Sequence, residues 1–230
     1  MPTNVPNDGW VDDWLSPERF GTYLTASGGS RRRALDLYEW NAHLGAAFLH
    51  DLGHLEVGLR NAYDRQLAAA VVVGDTHWSD PATLLTLFPI SYRKQRGQRV
   101  DTNATSRRKV EEARTRAGMV QGQRSPAPGK VLAETTFGFW TYLTSDFHEK
   151  AIWVPYLHKA FPPGTDRKHL NRTLIRVRDF RNRVAHHEPI LSGSEGRRRE
   201  ISFVVKALSP AANRHLTVQS EVAAILAKRP

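Results

Sequence analysis

Arg181, Asn182 and His186 stand together in one short stretch, Arg178-Asp179-Phe180-Arg181-Asn182-Arg183-Val184-Ala185-His186-His187-Glu188-Pro189-Ile190. Those residue types can hold a phosphate and move a proton. Arginine offers a planar, always-charged fork that matches phosphate oxygens. Asparagine can orient the arginine or the phosphate through hydrogen bonds. Histidine, with an unperturbed pKa of about 6.5, exchanges a proton near neutral pH. RNA cleavage without a metal needs these functions: a base for the 2′-hydroxyl proton, an acid for the departing 5′-oxygen, and cations for the charge on phosphorus. One copy of the chain supplies one such histidine, so two proton transfers would call for two copies in a symmetric dimer.

A helix has to position these groups. At about 100° per residue with Arg178 at zero, Leu170, Leu174, Val177, Phe180 and Val184 gather between roughly 200° and 320°, a core stripe. Arg172, Arg176, Asp179 and Arg183 gather near roughly 100–160°, a solvent side. Arg178, Asn182 and His186, four residues apart, line a third face, with Arg181 at its core-side margin. Asp166 can cap this helix, which is predicted to run to about His187 and to end near Glu188, because a proline disfavours helical geometry in the residue before it. The plain structural reading is that His186 merely complements the helix dipole at a C-terminus.

Other helices follow from local signals. Ser16-Pro17-Glu18 places a cap, a proline at the first helical position and an acid near the positive helix end, predicting a helix to about Thr25 that stops at Gly28-Gly29. Ser30 can cap the next. From Arg33 to about Val73 apolar residues recur every three or four positions, which reads as one long helix, or two with a bend near Gly45 or Gly53. Further helices are expected over Ala82–Leu87, near Ser106–Arg116, from Phe137 towards Phe161 with a break near Pro155, and over Val218–Lys228. Gln121–Gly129 reads as a linker. Strand-like alternation occurs only weakly, at Ile201–Val205. The fold class is all-α. The expected domain layout is an N-terminal tail (1–15), a helical domain (16–191) carrying a basic, partly irregular insertion at 91–130, and a C-terminal extension (192–230).

Composition narrows the function classes. The chain of 230 residues carries a formal charge of +10 and contains no cysteine, which removes disulfide scaffolds and thiolate metal sites. No apolar run is long enough for a membrane span, and residues 1–11 lack the basic start and apolar centre of a signal peptide, so a cytoplasmic protein is expected. The excess positive charge points to a polyanion, most simply nucleic acid. Residues 91–130 hold eleven basic residues against three acidic ones. Among them Arg93, Lys94, Arg96, Arg107, Arg108 and Lys109 are candidates for a phosphate-tracking segment, which otherwise is a solvated surface stretch.

Several segments carry a resemblance. Ser16-Pro17-Glu18-Arg19-Phe20, Leu37-Tyr38-Glu39-Trp40-Asn41, Leu55-Glu56-Val57-Gly58-Leu59-Arg60-Asn61-Ala62, Phe137-Gly138-Phe139-Trp140 and the Arg181–Ile190 block resemble, in order, landmarks of the Abi-like (abortive infection) proteins of the HEPN superfamily. The resemblance spans about Ser16 to Leu191 and includes the Arg-polar-x-x-x-His signature. It implies a HEPN-type helical bundle. It implies a metal-independent endoribonuclease acting as a homodimer, of the kind that serves as a toxin or phage-defence effector. RNA is then the substrate partner, and an antitoxin, RNA or protein, a further one. No cofactor and no metal are implied. Arg181 would contact the scissile phosphate, Asn182 would support it and His186 would handle the proton.

Secondary candidates carry two readings each. Arg178 shares the polar face. His187 is a second contact or a surface residue, the latter preferred. Glu56, Arg60 and Asn61 buttress the site, or Glu56 and Arg60 form an i,i+4 pair worth a few tenths of a kcal/mol. Phe137, Phe139 and Trp140 read as core before base-stacking platforms. His50 and His54 have the i,i+4 spacing of a metal pair, but no Glu follows His50 and no third ligand is evident. Two other functions fit the same residues: a non-catalytic RNA-binding module, and a helical interaction protein whose basic segment serves solubility.

Overall fold

The structure, a computed structural model, describes residues 9–71, 76–122 and 125–230. The fold is mostly α-helical. Its axis is α3 (Arg31–Ala70), a single helix of 40 residues. At 1.5 Å per residue it is about 60 Å long. No bend is needed at either glycine: Gly45 admits α8 (Arg167–Ala185), with Val184 Cγ1 3.7 Å from where a Cβ would stand, and Gly53 faces open space. The predicted Val73 end lies outside the described residues. Ser30 caps α3 by accepting from the Arg33 N–H. Ahead of it, α1 (Trp10–Leu15) and α2 (Pro17–Ala26) form an entry hairpin, and Ser16 accepts from the Arg19 N–H. The segment expected to be a tail is thus partly helical. Val11 and Leu15 are buried in the core, which fixes Trp10–Leu15 on the body; residues 1–8 lie outside the described set.

One hydrophobic cluster extends from Val11 to Val222. Leu44, Phe48, Leu52, Leu55 and Leu59 of α3 and Leu170, Leu174, Val177, Phe180 and Val184 of α8 belong to this cluster, where the two helices pack, and all are buried as the helical wheel required. Phe48 and Phe180 pack edge to face with centroids 4.7 Å apart, a geometry aromatic quadrupoles favour. The C-terminal residues join the same core. α9 (Ser194–Leu208) packs on both α3 and α8. The Ile201–Val205 alternation is therefore a helix, because Ile201, Val204 and Val205 face the core at three- and four-residue spacing while Phe203 is exposed. The expected last helix is two, α10 (Pro210–Gln219) and α11 (Val222–Leu226), divided at Ser220, whose hydroxyl reaches Asp51 Oδ2 at 2.6 Å. Among the described residues no helix is long and apolar enough to cross a membrane.

The basic insertion contains a hairpin that its sequence does not announce. Strands β1 (Tyr92–Gln95) and β2 (Gln98–Asp101) pair antiparallel, Arg93 opposite Val100 and Lys94 opposite Arg99. Arg96 and Gly97 both have positive φ, 50° and 82°, as a two-residue turn matching the strand twist requires. Both faces are largely exposed, so there was no buried face to impose alternation. After α4 (Pro81–Leu87) and the hairpin comes α5 (Ala104–Gln121), longer than Ser106–Arg116. The expected linker is shortened by α6 (Pro128–Ala133), and residues 123–124 lie outside the described set. α7 (Phe137–Tyr142) is followed by short 3-10 and π turns between Asp146 and Ala160.

Candidate nucleic-acid site

α8 is anchored at both ends by local chemistry. At its start Asp166 accepts from the N–H groups of Lys168 (2.8 Å) and His169 (3.2 Å), so the expected cap is in place. At its end the Glu188 N–H bonds the Arg183 carbonyl (2.9 Å) and the His187 N–H bonds that of Val184 (3.0 Å). This is a Schellman closure with His187 at the position that usually takes glycine, and its φ is 55°. His187 therefore stops the helix, with its side chain exposed. His187→Gly should raise the melting temperature by about 1–3 °C, since glycine relieves left-handed strain of about 1 kcal/mol partly offset by its freedom in the unfolded chain. Thermal melts of the two proteins check this.

The chain leaving the motif is tied back to α3. Buried Asn41 accepts from the Ile190 N–H at 2.7 Å. Arg183 donates to the Pro189 carbonyl at 2.9 Å and pairs with Glu188 at 3.2 Å. Asn41→Ala would strand a buried N–H, a cost of about 2 kcal/mol. In a chain of this length that lowers the melting temperature by about 4–8 °C, as a scanning-calorimetry comparison would read.

Arg181 Nε donates to Glu56 Oε1 across the α3–α8 junction at 2.8 Å. Among the described residues, the ion pair of Glu56 is thus to Arg181 and not to Arg60, whose Nε lies 3.5 Å from Asn61 Oδ1. Arg178 folds back on Asp179 at 2.7 Å, and its Cδ lies 3.8 Å from the Cβ position of Gly138, so α7 begins directly beside it. Phe137, Phe139 and Trp140 are buried: they hold α7 in the core rather than offering ring faces to a base.

Arg178, Arg181 and Asn182 form one wall of a cleft of about 680 Å³, together with Glu56 and Arg60 of α3. α5 also lines it, through Lys109, Glu112 and Arg116, and Glu134, Thr135 and Thr136 contribute to the lining. Five cations and three carboxylates line it, an excess of two positive charges. Lys109 donates to Glu112 at 2.9 Å, which holds the Glu112 carboxyl below its usual range. Arg116 bonds the Glu134 carboxylate (3.2 Å) and main-chain carbonyl (2.7 Å). His186 is exposed and does not line this cleft; it stands four residues, about 6 Å along the helix, beyond Asn182. Its carbonyl accepts from Arg19 at 3.5 Å. Asn61 is exposed on α3 and also lies outside the cleft.

The basic segment divides by use. Arg107 donates to the Phe88 carbonyl at 2.8 Å and pairs with Asp101, and Arg114 pairs with Asp80 at 2.8 Å. Both dock α5 onto the body and are not available to a ligand as a free fork. Lys94 and Arg96 are exposed on the hairpin, the Arg93 guanidinium lies over the Phe147 ring, 5.7 Å from its centroid, and Arg108 is exposed beside Glu112. Of the six candidates only Lys109 reaches the cleft with the motif. Arg116 was missed, yet Lys109, Glu112 and Arg116 share one face by their i, i+3, i+7 spacing. Nothing local marks Glu134.

Two other arrangements resemble sites. Ser79 Oγ, His77 Nδ1 and Nε2, and Asp64 Oδ1 form a relay of 2.9 and 3.0 Å, but Ser79 is fully buried, so the relay ties the chain after α3 to α3 itself. His50 and His54 meet edge to face with centroids 4.9 Å apart, and His50 is 3.0 Å from Asp51. Among the described residues, no group of three or more His, Cys, Asp or Glu is placed to hold a metal.

Compared with family models, curated proteins and solved structures, the chain has no match.

Proposed function

We propose that this chain is a HEPN-type endoribonuclease that cuts RNA without a metal, in a site completed by a second copy, and that it acts as a toxin or phage-defence effector. The observation that supports the reading is the order along α8: an arginine held by Glu56, an asparagine beside it in a net-positive cleft, and an exposed histidine one turn further on. In the proposed reaction, His186 takes the 2′-hydroxyl proton, and the 2′-oxygen bonds to the adjacent phosphorus. The bond from phosphorus to the 5′-oxygen breaks, and His186 of the partner subunit gives that oxygen its proton. The products are a 2′,3′-cyclic phosphate and a 5′-hydroxyl. Arg181 and Asn182 bear the charge on the phosphorane oxygens. The effector role rests on the resemblance of the Arg181–Ile190 block to the Abi-like proteins.

The test is RNA incubated with the purified protein in EDTA. Cleavage with cyclic-phosphate ends supports the proposal; cleavage only with added metal, or linear 3′-hydroxyl ends, would sink it. One observation favours a second reading, a non-catalytic RNA-binding module: the cleft that gathers the cations does not include His186. Tight RNA binding with no cleavage under any condition would establish that reading instead.

A further inference from the structure

We infer that α5 supplies a second phosphate-binding wall, in which Lys109 and Arg116 grip the RNA backbone beside the phosphate held by Arg181, and Glu112 and Glu134 are latches that the RNA phosphate displaces. The inference rests on the nucleic-acid reading of the α8 cleft. Lys109 and Arg116 lie seven residues apart on α5 and line the same cavity as Arg178 and Arg181. They come from the basic segment, so the structure brings part of that segment to the motif helix, 65 to 72 residues away in sequence from Arg181.

Each wall cation is already paired. Lys109 meets Glu112 at 2.9 Å and Arg116 meets Glu134 at 3.2 Å. The side chains are 42% and 45% exposed, so phosphate can reach them from solvent. Phosphate entering the cleft exchanges with a carboxylate for a cation that is already in position. Such pairing keeps five cations from repelling one another in the empty cleft, and it makes affinity depend on the latch as well as on the cation. Arg108, next to Lys109, is 65% exposed, meets Glu112 only at 3.9 Å and does not line the cleft, which makes it the matched comparison.

The test is fluorescence anisotropy of a 2′-O-methyl RNA oligonucleotide, which lacks the attacking hydroxyl, titrated with the full chain at several salt concentrations. Lys109→Gln should weaken binding about three- to tenfold and reduce the salt slope by about one. Glu112→Gln should tighten binding about two- to fivefold, because it frees Lys109, and with it the weaker Arg108 contact at 3.9 Å, without adding a cation. Arg108→Gln should change affinity less than twofold. The Lys109–Glu112 pair is a surface i,i+3 pair worth a few tenths of a kcal/mol, so these variants keep the fold, which melting curves verify. Wild-type affinity and slope in Lys109→Gln overturn the inference. So do equal losses in Lys109→Gln and Arg108→Gln, which reduce the effect to overall charge, and so does failure of the wild type to bind. The expected binding pattern in a protein that cuts no RNA upholds the second wall and sinks the ribonuclease reading alone.

Discussion

His186→Ala should lower RNA cleavage by about 10²–10⁴-fold while leaving the melting temperature within about 2 °C of wild type. The size follows from the proposed reaction, in which the imidazole is the proton-transfer group and general acid–base catalysis contributes factors in that range. A symmetric dimer would lose both the base and the acid from each site. The intact fold follows from its surroundings. His186 is exposed, and main-chain groups hold it in place: its N–H bonds the Asn182 carbonyl at 2.9 Å and its carbonyl accepts from Arg19. Alanine keeps all of these and gives up a dipole interaction of a few tenths of a kcal/mol. Cleavage rates with a fixed RNA, beside thermal melts of both proteins, check the prediction; an active, folded alanine variant refutes it. Expressed in a bacterial host, the wild type should arrest growth and the variant should not, at equal soluble levels.

The protein should lose about 3 kcal/mol of stability between pH 6.5 and about pH 4, and His148 is the cause. Burial pushes the His148 imidazole down to about 4, while a hydrogen bond with the Tyr142 backbone opposes the shift. The ring is fully buried, with Ser106 Oγ 2.9 Å from Nε2 and Ser145 Oγ 3.3 Å from Nδ1. Its folded-state pKa is thus depressed below the unfolded value of 6.5. The unfolded chain binds a proton that the folded chain refuses, so the stabilisation is fully present above pH 6.5 and is lost as pH falls towards 4. Converted at about 1.4 kcal/mol per pH unit, the gap corresponds to about 3 kcal/mol, or about 10 °C in melting temperature. Carboxylates act lower on the scale. Arg167 donates to Asp146 and holds its carboxyl below the usual range, so that contribution is lost only as pH falls below the ordinary aspartate value of 3.8. Urea unfolding of the wild type and His148→Gln at about pH 7.5 and 4.5 separates the two. The variant starts less stable, having lost packing and hydrogen bonds, and should show little further loss across this window. Parallel loss in both proteins would remove His148 as the cause. The link Ser106–His148 also holds α5 to the body, so acid should loosen the wall that carries Lys109.

Local order was readable because helices are written in short-range spacing. The three faces of α8, the Asp166 cap and the stop before Pro189 follow from a 3.6-residue period and from the constraint that proline places on its neighbour. The Ser16 and Ser30 caps follow from the same kind of signal. The β-hairpin did not show itself, because strands exposed on both faces carry no alternation. Burial within the basic segment was equally silent: Arg107 and Lys109 are two residues apart and chemically alike, yet one docks onto Phe88 and Asp101 and the other enters a cleft.

By itself the sequence determined the all-helical class, the cationic balance, and the placing of Arg181, Asn182 and His186 on or beside one helical face, since each depends on composition or on residues within a few turns. Only the tertiary structure decided what those residues meet. Glu56 and Arg181 are 125 positions apart, Asn41 and Ile190 are 149, and Arg19 and His186 are 167. Contacts across such separations depend on how whole helices pack around α3, and no local period encodes which side chains that packing brings face to face.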